Sequence, residues 1–84
     1  MREYLYGLSE ERYAELLTAQ DGRCAICQTD EWGGKHGVPH VDHDHATDEV
    51  RGLLCDACNN GLGRFADAPE RLRAAAAYLE RRIV

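Results

Sequence analysis

The segment His-Val-Asp-His-Asp-His at residues 40–45 is the densest group of chemically active side chains in this sequence. If strand alternation continues through it, His43 and His45 project to one side and Asp42 to the other. An imidazole can accept a proton from water on one side of a phosphorus atom, while a carboxylate holds a hard divalent cation on the leaving-group side. The segment therefore suits phosphodiester hydrolysis, although histidines beside carboxylates also suit a second zinc site or an inert surface.

Asn59 is the natural second oxygen ligand for such a site. It directly follows the pair Cys55 and Cys58, whose two-residue spacer fixes the start of a helix against the preceding strand. That position lets the Asn59 amide oxygen face the Asp42 carboxylate, and both oxygens suit Mg²⁺ or Mn²⁺. Taken without Asp42, Asn59 is equally well explained as a turn or cap residue.

The four cysteines form two Cys-x-x-Cys pairs, at residues 24–27 and 55–58. Two such pairs present four thiolates tetrahedrally to zinc, and a site closed by four sulfurs is structural rather than catalytic. Two disulfides in a secreted protein, or a redox role for one pair, are the alternatives. Residues 1–7 contain no apolar run of signal-peptide length, so the sequence favours a reducing cytoplasm and zinc.

Length and charge narrow the class of protein. Eighty-four residues predict one domain, 1–84, near the lower size limit for a stable apolar core, where a staple is usual. The net charge of −5 argues against a protein that holds nucleic acid through bulk electrostatics. A polyanion would need a metal ion or local basic contacts to approach the acidic middle of the chain. No segment is long and apolar enough to span a membrane.

An N-terminal helix is predicted over about residues 9–20, because Ser9 can cap the free amides and two glutamates follow at the positive dipole end. Leu8 can pack back onto the first turn as a hydrophobic staple. The packing face of this helix repeats at helical spacing: Tyr13, Leu16 and Leu17. Asp21-Gly22 ends it.

Two short strands, at residues 38–42 and 49–54, and a short helix give a predicted ββα core over about residues 38–66. Asp56 is the predicted N-cap of that helix. Trp32, in the glycine-rich loop before the strands, is expected to cover the core rather than to stack on a base.

A C-terminal helix is predicted over about residues 68–82. Asp67 begins a capping-box pattern and Pro69 falls inside the first turn. One face of this helix is apolar: Leu72, Ala76, Leu79 and Ile83.

Three blocks of this sequence together resemble the His-Asn-His, or ββα-metal, nucleases, and within them the phage recombination endonuclease VII family. The blocks are QDGRCAIC at 20–27, HVDHDH at 40–45 and VRGLLCDACN at 50–59, and the resemblance covers about residues 5–66. It implies an α+β fold, a small zinc-stabilised ββα-metal domain with one helix at each end.

The resemblance also implies a role for each candidate residue. Zinc would be bound by four thiolates: Cys24, Cys27, Cys55 and Cys58. A catalytic Mg²⁺ or Mn²⁺ would be bound by Asp42 and Asn59. His43 would be the general base, and His45 would contact or position the phosphate. His40 would be a weaker candidate for the site. Apart from the resemblance, Arg51 and Arg64 are candidates for contact with the phosphate backbone.

The implied function is a metal-dependent DNA endonuclease that nicks or cuts duplex DNA with little sequence readout, in the cytoplasm of a bacterial or phage-infected cell. Some family members carry a further carboxylate where this chain has Leu62, and the long C-terminal dimerisation region of junction-resolving members is replaced here by one helix. We therefore expect cleavage of duplex or branched DNA by a monomer or weak dimer, without junction resolution. The alternative is a non-catalytic zinc module that binds protein or nucleic acid.

Overall fold

The computed structural model describes residues 8–81. Its elements in chain order are α1 (Glu10–Ala19), β1 (His40–His43), β2 (Val50–Leu54), α2 (Asp56–Arg64) and α3 (Pro69–Glu80). The two strands pair into one antiparallel sheet. With α2 they form a ββα unit, which confirms the predicted α+β fold class. Within residues 8–81, no helix has the length and apolarity needed to cross a membrane.

Helix α1 begins where its capping chemistry predicts. The Ser9 hydroxyl oxygen accepts a hydrogen bond of 3.0 Å from the Arg12 amide, and two glutamates occupy the first turn. The chain leaves the helix at Gln20, after which Asp21 and Gly22 adopt positive φ angles of 60° and 70°. Glycine takes this conformation without a steric penalty, so the Asp-Gly pair turns the chain towards the first cysteine pair.

The strands differ from their predicted positions because of an irregularity in the sheet. His40 pairs with Leu54 and Asp42 with Gly52, but the register then shifts so that His43 pairs with Val50. Arg51 is the extra residue on β2 at this bulge. The bulge interrupts the alternation of β2, and β1 ends at His43, so strand alternation does not extend to His45.

The connection between β1 and β2 is organised by Asp44. Its carboxylate oxygen accepts hydrogen bonds from the amides of Ala46, at 2.7 Å, and Thr47, at 3.2 Å. These two amides lower the pKa of Asp44. Asp48 completes the turn with a positive φ of 65°. The turn thus holds the end of β1, where the candidate catalytic histidines lie.

The core consists of two small clusters of buried residues. The first contains Leu8, Val41 and Leu53, and the second contains Cys24, Leu54 and Cys55. Trp32 packs against both, so its predicted place over the core is confirmed. The α1 face also packs as predicted, against the first cluster: Tyr13, Leu16 and Leu17.

Gln20 makes a connection that the sequence analysis did not foresee. Its side-chain amide accepts a hydrogen bond from the Leu53 amide and donates one to the Leu53 carbonyl, both at 2.9 Å. It also donates to the Arg23 carbonyl at 2.8 Å. The end of α1 is thereby joined to β2, and a Cβ at Gly52 would approach the Gln20 Oε1 to 3.2 Å.

Both predicted helix caps after the sheet are wrong. Cys55, not Asp56, is the N-cap of α2, and its sulfur accepts a 3.4 Å hydrogen bond from the Cys58 amide. Ala68, not Asp67, precedes α3 and makes no side-chain cap, although Pro69 does lie in the first turn. Asp67 is prevented from capping because its carboxylate faces other side chains, described below.

The apolar face predicted for α3 is largely exposed among the described residues. Leu79 is 80% exposed and Tyr78 62% exposed, with the Arg81 guanidinium 4.5 Å from the Tyr78 ring centroid. Ile83, assigned to the same face, and the predicted helix end at residue 82 lie outside the described residues. The rest of the molecule therefore does not depend on α3 for its core.

Candidate active site and metal centre

The four cysteines converge on one point. One sulfur from each lies within 4.8 Å of all the others, and the Cys27 and Cys55 sulfurs are 3.7 Å apart. All four are free thiols, since a disulfide would require sulfurs about 2 Å apart. The four sulfurs meet the requirement of a tetrahedral metal cage, so these residues are positioned to bind a metal ion.

Each pair is shaped by backbone hydrogen bonds to sulfur. The Ile26 amide donates to the Cys24 sulfur at 3.4 Å, just as the Cys58 amide donates to the Cys55 sulfur. The Cys24 amide donates to the Thr29 carbonyl at 2.9 Å and closes the first loop. Cys24 and Cys55 are buried, while Cys27 is exposed. The cage therefore sits between the core and solvent, with its inner half already fixed by packing.

The thiols in the cage differ in acidity. Burial raises the pKa of Cys24, but backbone hydrogen bonds from Cys55, Cys27 and Ile26 outweigh it and lower the pKa to about 6. Burial and the neighbouring thiols raise the pKa of Cys58 to about 12. One thiolate thus forms readily and opposes ionisation of the next, a repulsion that a divalent cation at the centre would remove.

A groove on the ββα unit is lined by the candidate residues that offer oxygen and nitrogen atoms. It lies between β1, the C-terminal half of α2 and the turn that follows α2. The predicted site residues that line it are these: His40, Asp42, His43, His45, Asn59 and Arg64. His43, His45 and Asp42 thus all border the same groove.

Asp42 forms the strongest ion pair in the groove. Its two carboxylate oxygens accept hydrogen bonds from Arg51, at 2.7 Å from Nε and 3.1 Å from Nη2. The hydrogen bond with Asp42 raises the pKa of Arg51. The Asp42 side chain is only 15% exposed, so this pair is screened less than a surface pair. Arg51, predicted to contact phosphate, is therefore engaged with the predicted metal ligand in this state.

The two histidines at the end of β1 are adjacent. The His43 and His45 ring centroids are 5.0 Å apart, with the planes tilted by 54°. The His43 side chain is 18% exposed and its Nε2 lies 3.8 Å from a carboxylate oxygen of Asp48. His45 is far more exposed, and its Nε2 lies 3.3 Å from an oxygen of Asp67. Protected His43 suits a proton acceptor, while His45 is accessible to a ligand.

His40 has a contact that links three parts of the chain. Its Nε2 lies 3.1 Å from an Asp56 carboxylate oxygen, and the other Asp56 oxygen accepts a 3.2 Å hydrogen bond from Asn60. The Asp56 amide donates to the Trp32 carbonyl at 2.8 Å. His40 therefore ties β1 to the first turn of α2.

Asn59 and Arg64 enter the groove from α2. Asn59 is half-buried and directly follows Cys58 of the cage. Its backbone amide donates a hydrogen bond to the Cys55 carbonyl at 2.9 Å. Arg64 is exposed and, within residues 8–81, forms no ion pair. The carboxylate of Asp42 and the amide oxygen of Asn59 are donors that suit Mg²⁺, which keeps most of its waters and needs few protein ligands.

Two acidic residues that contact the candidate histidines were missed by sequence reasoning. Asp67 lines the groove, 3.3 Å from His45 Nε2, and its Oδ2 lies 3.6 Å from Arg51 Nη2, whereas the sequence suggested only a helix cap. Asp48 was placed in the turn, with no sign that it would approach His43. Their sequence positions carry no signal for these contacts, because a turn of the chain brings each carboxylate to its histidine.

Comparison with known proteins matches this architecture. The model of the family described as recombination endonuclease VII matches residues 1–81. The Gene 59 proteins of mycobacteriophages D29 and L5 are 46% and 44% identical to the chain over 77 and 75 residues. These alignments cover 90% and 88% of this chain but only 46% and 44% of the phage proteins.

A solved structure shares the fold. The ββα-Me type II restriction endonuclease Hpy99I matches with a TM-score of 0.61 and 31% identity, over 94% of this chain and 46% of that one. The chain thus spans just under half the length of the proteins it resembles. The family match extends over nearly every residue, including both cysteine pairs and every groove residue named above, so the chain belongs to the recombination endonuclease VII family.

Proposed function

We propose that this protein is a metal-dependent endonuclease that hydrolyses phosphodiester bonds of DNA, with little sequence specificity. The observation that carries the proposal is that Asp42, His43, His45 and Asn59 line one groove beside a four-cysteine cage. Membership of a family named for an endonuclease supports the same chemistry. The substrate is duplex or branched DNA.

In this proposal the cage binds zinc, because four thiolates in tetrahedral reach of one another are its preferred ligand set. Such an ion has no open position for substrate, so its contribution is to folding. It fixes α2 against the sheet through Cys55 and Cys58, and thereby fixes Asn59 relative to Asp42.

In the groove, His43 acts as the general base and accepts a proton from the attacking water. Asp42 and Asn59 would bind a Mg²⁺ or Mn²⁺ ion through a carboxylate and an amide oxygen. When bound there, such an ion stabilises the negative charge that develops on the phosphoryl group and the leaving 3′ oxygen. Asp48 is near enough to His43 to favour the proton-accepting ring orientation and to stabilise the protonated ring.

The DNA backbone would be held by local contacts, since the net charge is −5. Arg64 is exposed at the groove, and His45 presents its ring beside His43. His40 lies at the opposite end of β1 and would contact phosphate only by leaving Asp56. Contacts of this kind are made with phosphate and not with bases, so they are compatible with binding that depends little on base sequence.

The test is a cleavage assay with zinc-loaded protein on supercoiled, linear, branched and single-stranded DNA, with Mg²⁺ or Mn²⁺ added or omitted. Leaving out Mg²⁺ and Mn²⁺ tests the groove ion and keeps zinc in the cage, whereas a chelator would remove the zinc as well. Cleavage should require the added ion, and His43→Ala should reduce the rate by about 10²–10⁴-fold, the usual contribution of a general base.

The control for that variant is His36→Ala, which changes an exposed histidine of the loop before β1. It should leave both the rate and the thermal melting curve unchanged. Near-parental cleavage by His43→Ala would reject His43 as the base. No cleavage of any substrate by the parent protein, but saturable binding to protein or DNA, would favour the non-catalytic zinc module instead.

A further inference from the structure

Arg51 lies between two carboxylates. Its Nε and Nη2 donate to Asp42 at 2.7 and 3.1 Å, and its Nη2 is also 3.6 Å from the Oδ2 of Asp67. The bulge in the sheet makes Arg51 the extra residue of β2, which directs its side chain across the strand end. The guanidinium thus bonds to one acid and lies within reach of a second.

The contact with Asp42 conflicts with the proposed groove ion. Both Asp42 oxygens are occupied by a positively charged donor. A divalent cation bound to the same carboxylate would lie within a few ångströms of the guanidinium, in a partly buried place where repulsion between like charges is weakly screened. Each carboxylate oxygen keeps a second lone pair, so the competition is electrostatic: the ion would bind more tightly once Arg51 has left Asp42, and the free energy of that step depends on what receives the guanidinium.

Asp67 is the acceptor that the geometry offers. Its side chain is 24% exposed and lines the groove. The chain reaches it through consecutive positive φ angles, 58° at Ala66 and 54° at Asp67, and the Asp67 amide donates to the Leu62 carbonyl at 2.8 Å. This turn brings the carboxylate back over the groove, where the same oxygen that faces Arg51 is 3.3 Å from His45 Nε2.

We propose that Asp67 is a positioning residue that receives Arg51 from Asp42 when the groove binds its divalent ion, and that holds His45 at the groove. The inference rests on the proposed function, because it assumes that Asp42 is an ion ligand. If the guanidinium turns from Asp42 towards Asp67, whose Oδ2 already lies 3.6 Å from Nη2, a charged hydrogen bond to Asp67 replaces those lost at Asp42. Asp67 thereby stabilises the state in which the Asp42 oxygens are available.

The experiment measures Mn²⁺ binding to the zinc-loaded full chain without DNA, by electron paramagnetic resonance up to millimolar concentration. Asp67→Asn keeps the side-chain shape and a residue type that tolerates positive φ, but removes the charge that competes for Arg51. We expect Mn²⁺ to bind about tenfold more weakly, the size of one lost charge-assisted hydrogen bond. Asp48→Asn is the matched control, because it removes a charge near His43 without an Arg51 contact, and it should change binding by less than about threefold.

The decisive comparison uses Arg51→Gln. Without the guanidinium nothing competes for Asp42, so Mn²⁺ should bind more tightly than in the parent, and adding Asp67→Asn should then have little effect. If Asp67→Asn weakens binding equally with and without Arg51, Asp67 acts only as a general negative charge and the inference is wrong. If it has no effect in either background, the inference is wrong as well.

Asp42→Ala separates this inference from the proposed function. Loss of Mn²⁺ binding in that variant, with parental binding in Asp67→Asn, would overturn the role of Asp67 and leave the ligand assignment intact. Saturable Mn²⁺ binding that survives Asp42→Ala, or no saturable binding by the parent, would overturn the ligand assignment and this inference together. Zinc content and melting temperature, measured for every variant, exclude unfolding as the cause.

Discussion

The cysteine cage and the groove are two candidate ion sites that differ in how their residues are held. The cage sulfurs are already within 4.8 Å of one another, and two of the four cysteines are buried. The groove carboxylates and histidines are instead paired with one another and with Arg51, and most are partly exposed. In the proposed function, the cage is preorganised for its ion, whereas the groove would have to exchange partners to receive one.

This difference suggests separate roles for the two sites, with the cage stabilising the fold and the groove binding the ion used in cleavage. Few residues of the described chain are buried, so we expect the binding free energy of a metal in the cage to stabilise the fold. The groove contributes little to the core and its polar side chains can rearrange. Changes at the cage should therefore act on folding, and changes at the groove on ion binding and turnover. Four predictions test this division.

The largest effect is expected for Cys24→Ala. It removes a fully buried cage ligand and with it much of the folding free energy that metal binding supplies, about 10–16 kcal/mol in small structural zinc sites. The variant should be unfolded at 25 °C by circular dichroism and should retain no stoichiometric zinc by elemental analysis. A melting curve like that of the parent would mean that the cage is not what stabilises the fold.

Asn59→Ala should have the next largest effect, and only on function. Loss of one ligand oxygen should weaken Mg²⁺ binding, so that half-maximal cleavage needs about 10–100-fold more Mg²⁺. Changes in or around a metal site commonly have an effect of this size. Asn60→Ala is the matched control, since Asn60 is the adjacent amide and contacts Asp56 instead. Cleavage rates titrated against Mg²⁺ measure the difference. Identical curves for both variants would refute Asn59 as a ligand.

Gln20→Ala tests the cage side of the molecule with a smaller change. It leaves the Leu53 amide without its partner, and such a loss in a partly buried place costs about 1–3 kcal/mol, while the Leu53 carbonyl still accepts a hydrogen bond from the Ala25 amide. The free energy of unfolding, measured by urea denaturation of the zinc-loaded protein, should fall by that order, while Mg²⁺ affinity is retained. The control is Gln28→Ala, which changes an exposed glutamine directly after Cys27. It should leave the free energy of unfolding unchanged.

Arg64→Ala should have the smallest effect of the four. Loss of one exposed phosphate contact should raise KM a few-fold and reduce the slope of log affinity against log salt by about 1, with kcat and stability unchanged. Arg73→Ala, on the exposed α3, provides the comparison and should leave KM unchanged. A fall in kcat rather than a rise in KM would assign Arg64 to the transition state instead of to binding.

Sequence reasoning succeeded where a short spacing fixes the geometry. Two residues between cysteines, a serine before glutamates and a proline in the first turn of a helix each act within a few residues, and the cage, α1 and the start of α3 follow from them. It failed where distant segments meet. The bulge at Arg51 depends on how two strands pair, and no local pattern shows that the Asp67 carboxylate returns to the groove instead of capping α3.

The caps show the same limit in physical terms. Asp56 and Asp67 have the right residue type for a helix N-cap, but each carboxylate has a competing partner, His40 for one and His45 with Arg51 for the other. Competition between a local hydrogen bond and a tertiary ion pair is decided by positions that the sequence does not reveal. Residue type therefore identified possible N-cap residues, but tertiary contacts determined which residues act as caps.

Cys55 is both a cage residue and the N-cap of α2. Its position in the cage therefore fixes the rotation of α2 about its own axis, and with it the direction in which each α2 side chain points. Each residue advances an α-helix by about 100°, so a single insertion between Cys58 and Asn59 would swing the amide a quarter-turn or more out of the groove while leaving every thiolate in place. Length changes among the exposed residues 35–37, in contrast, would alter neither ion site directly. The length of the chain should therefore vary more freely there than across the four peptide bonds between residue 55 and residue 59.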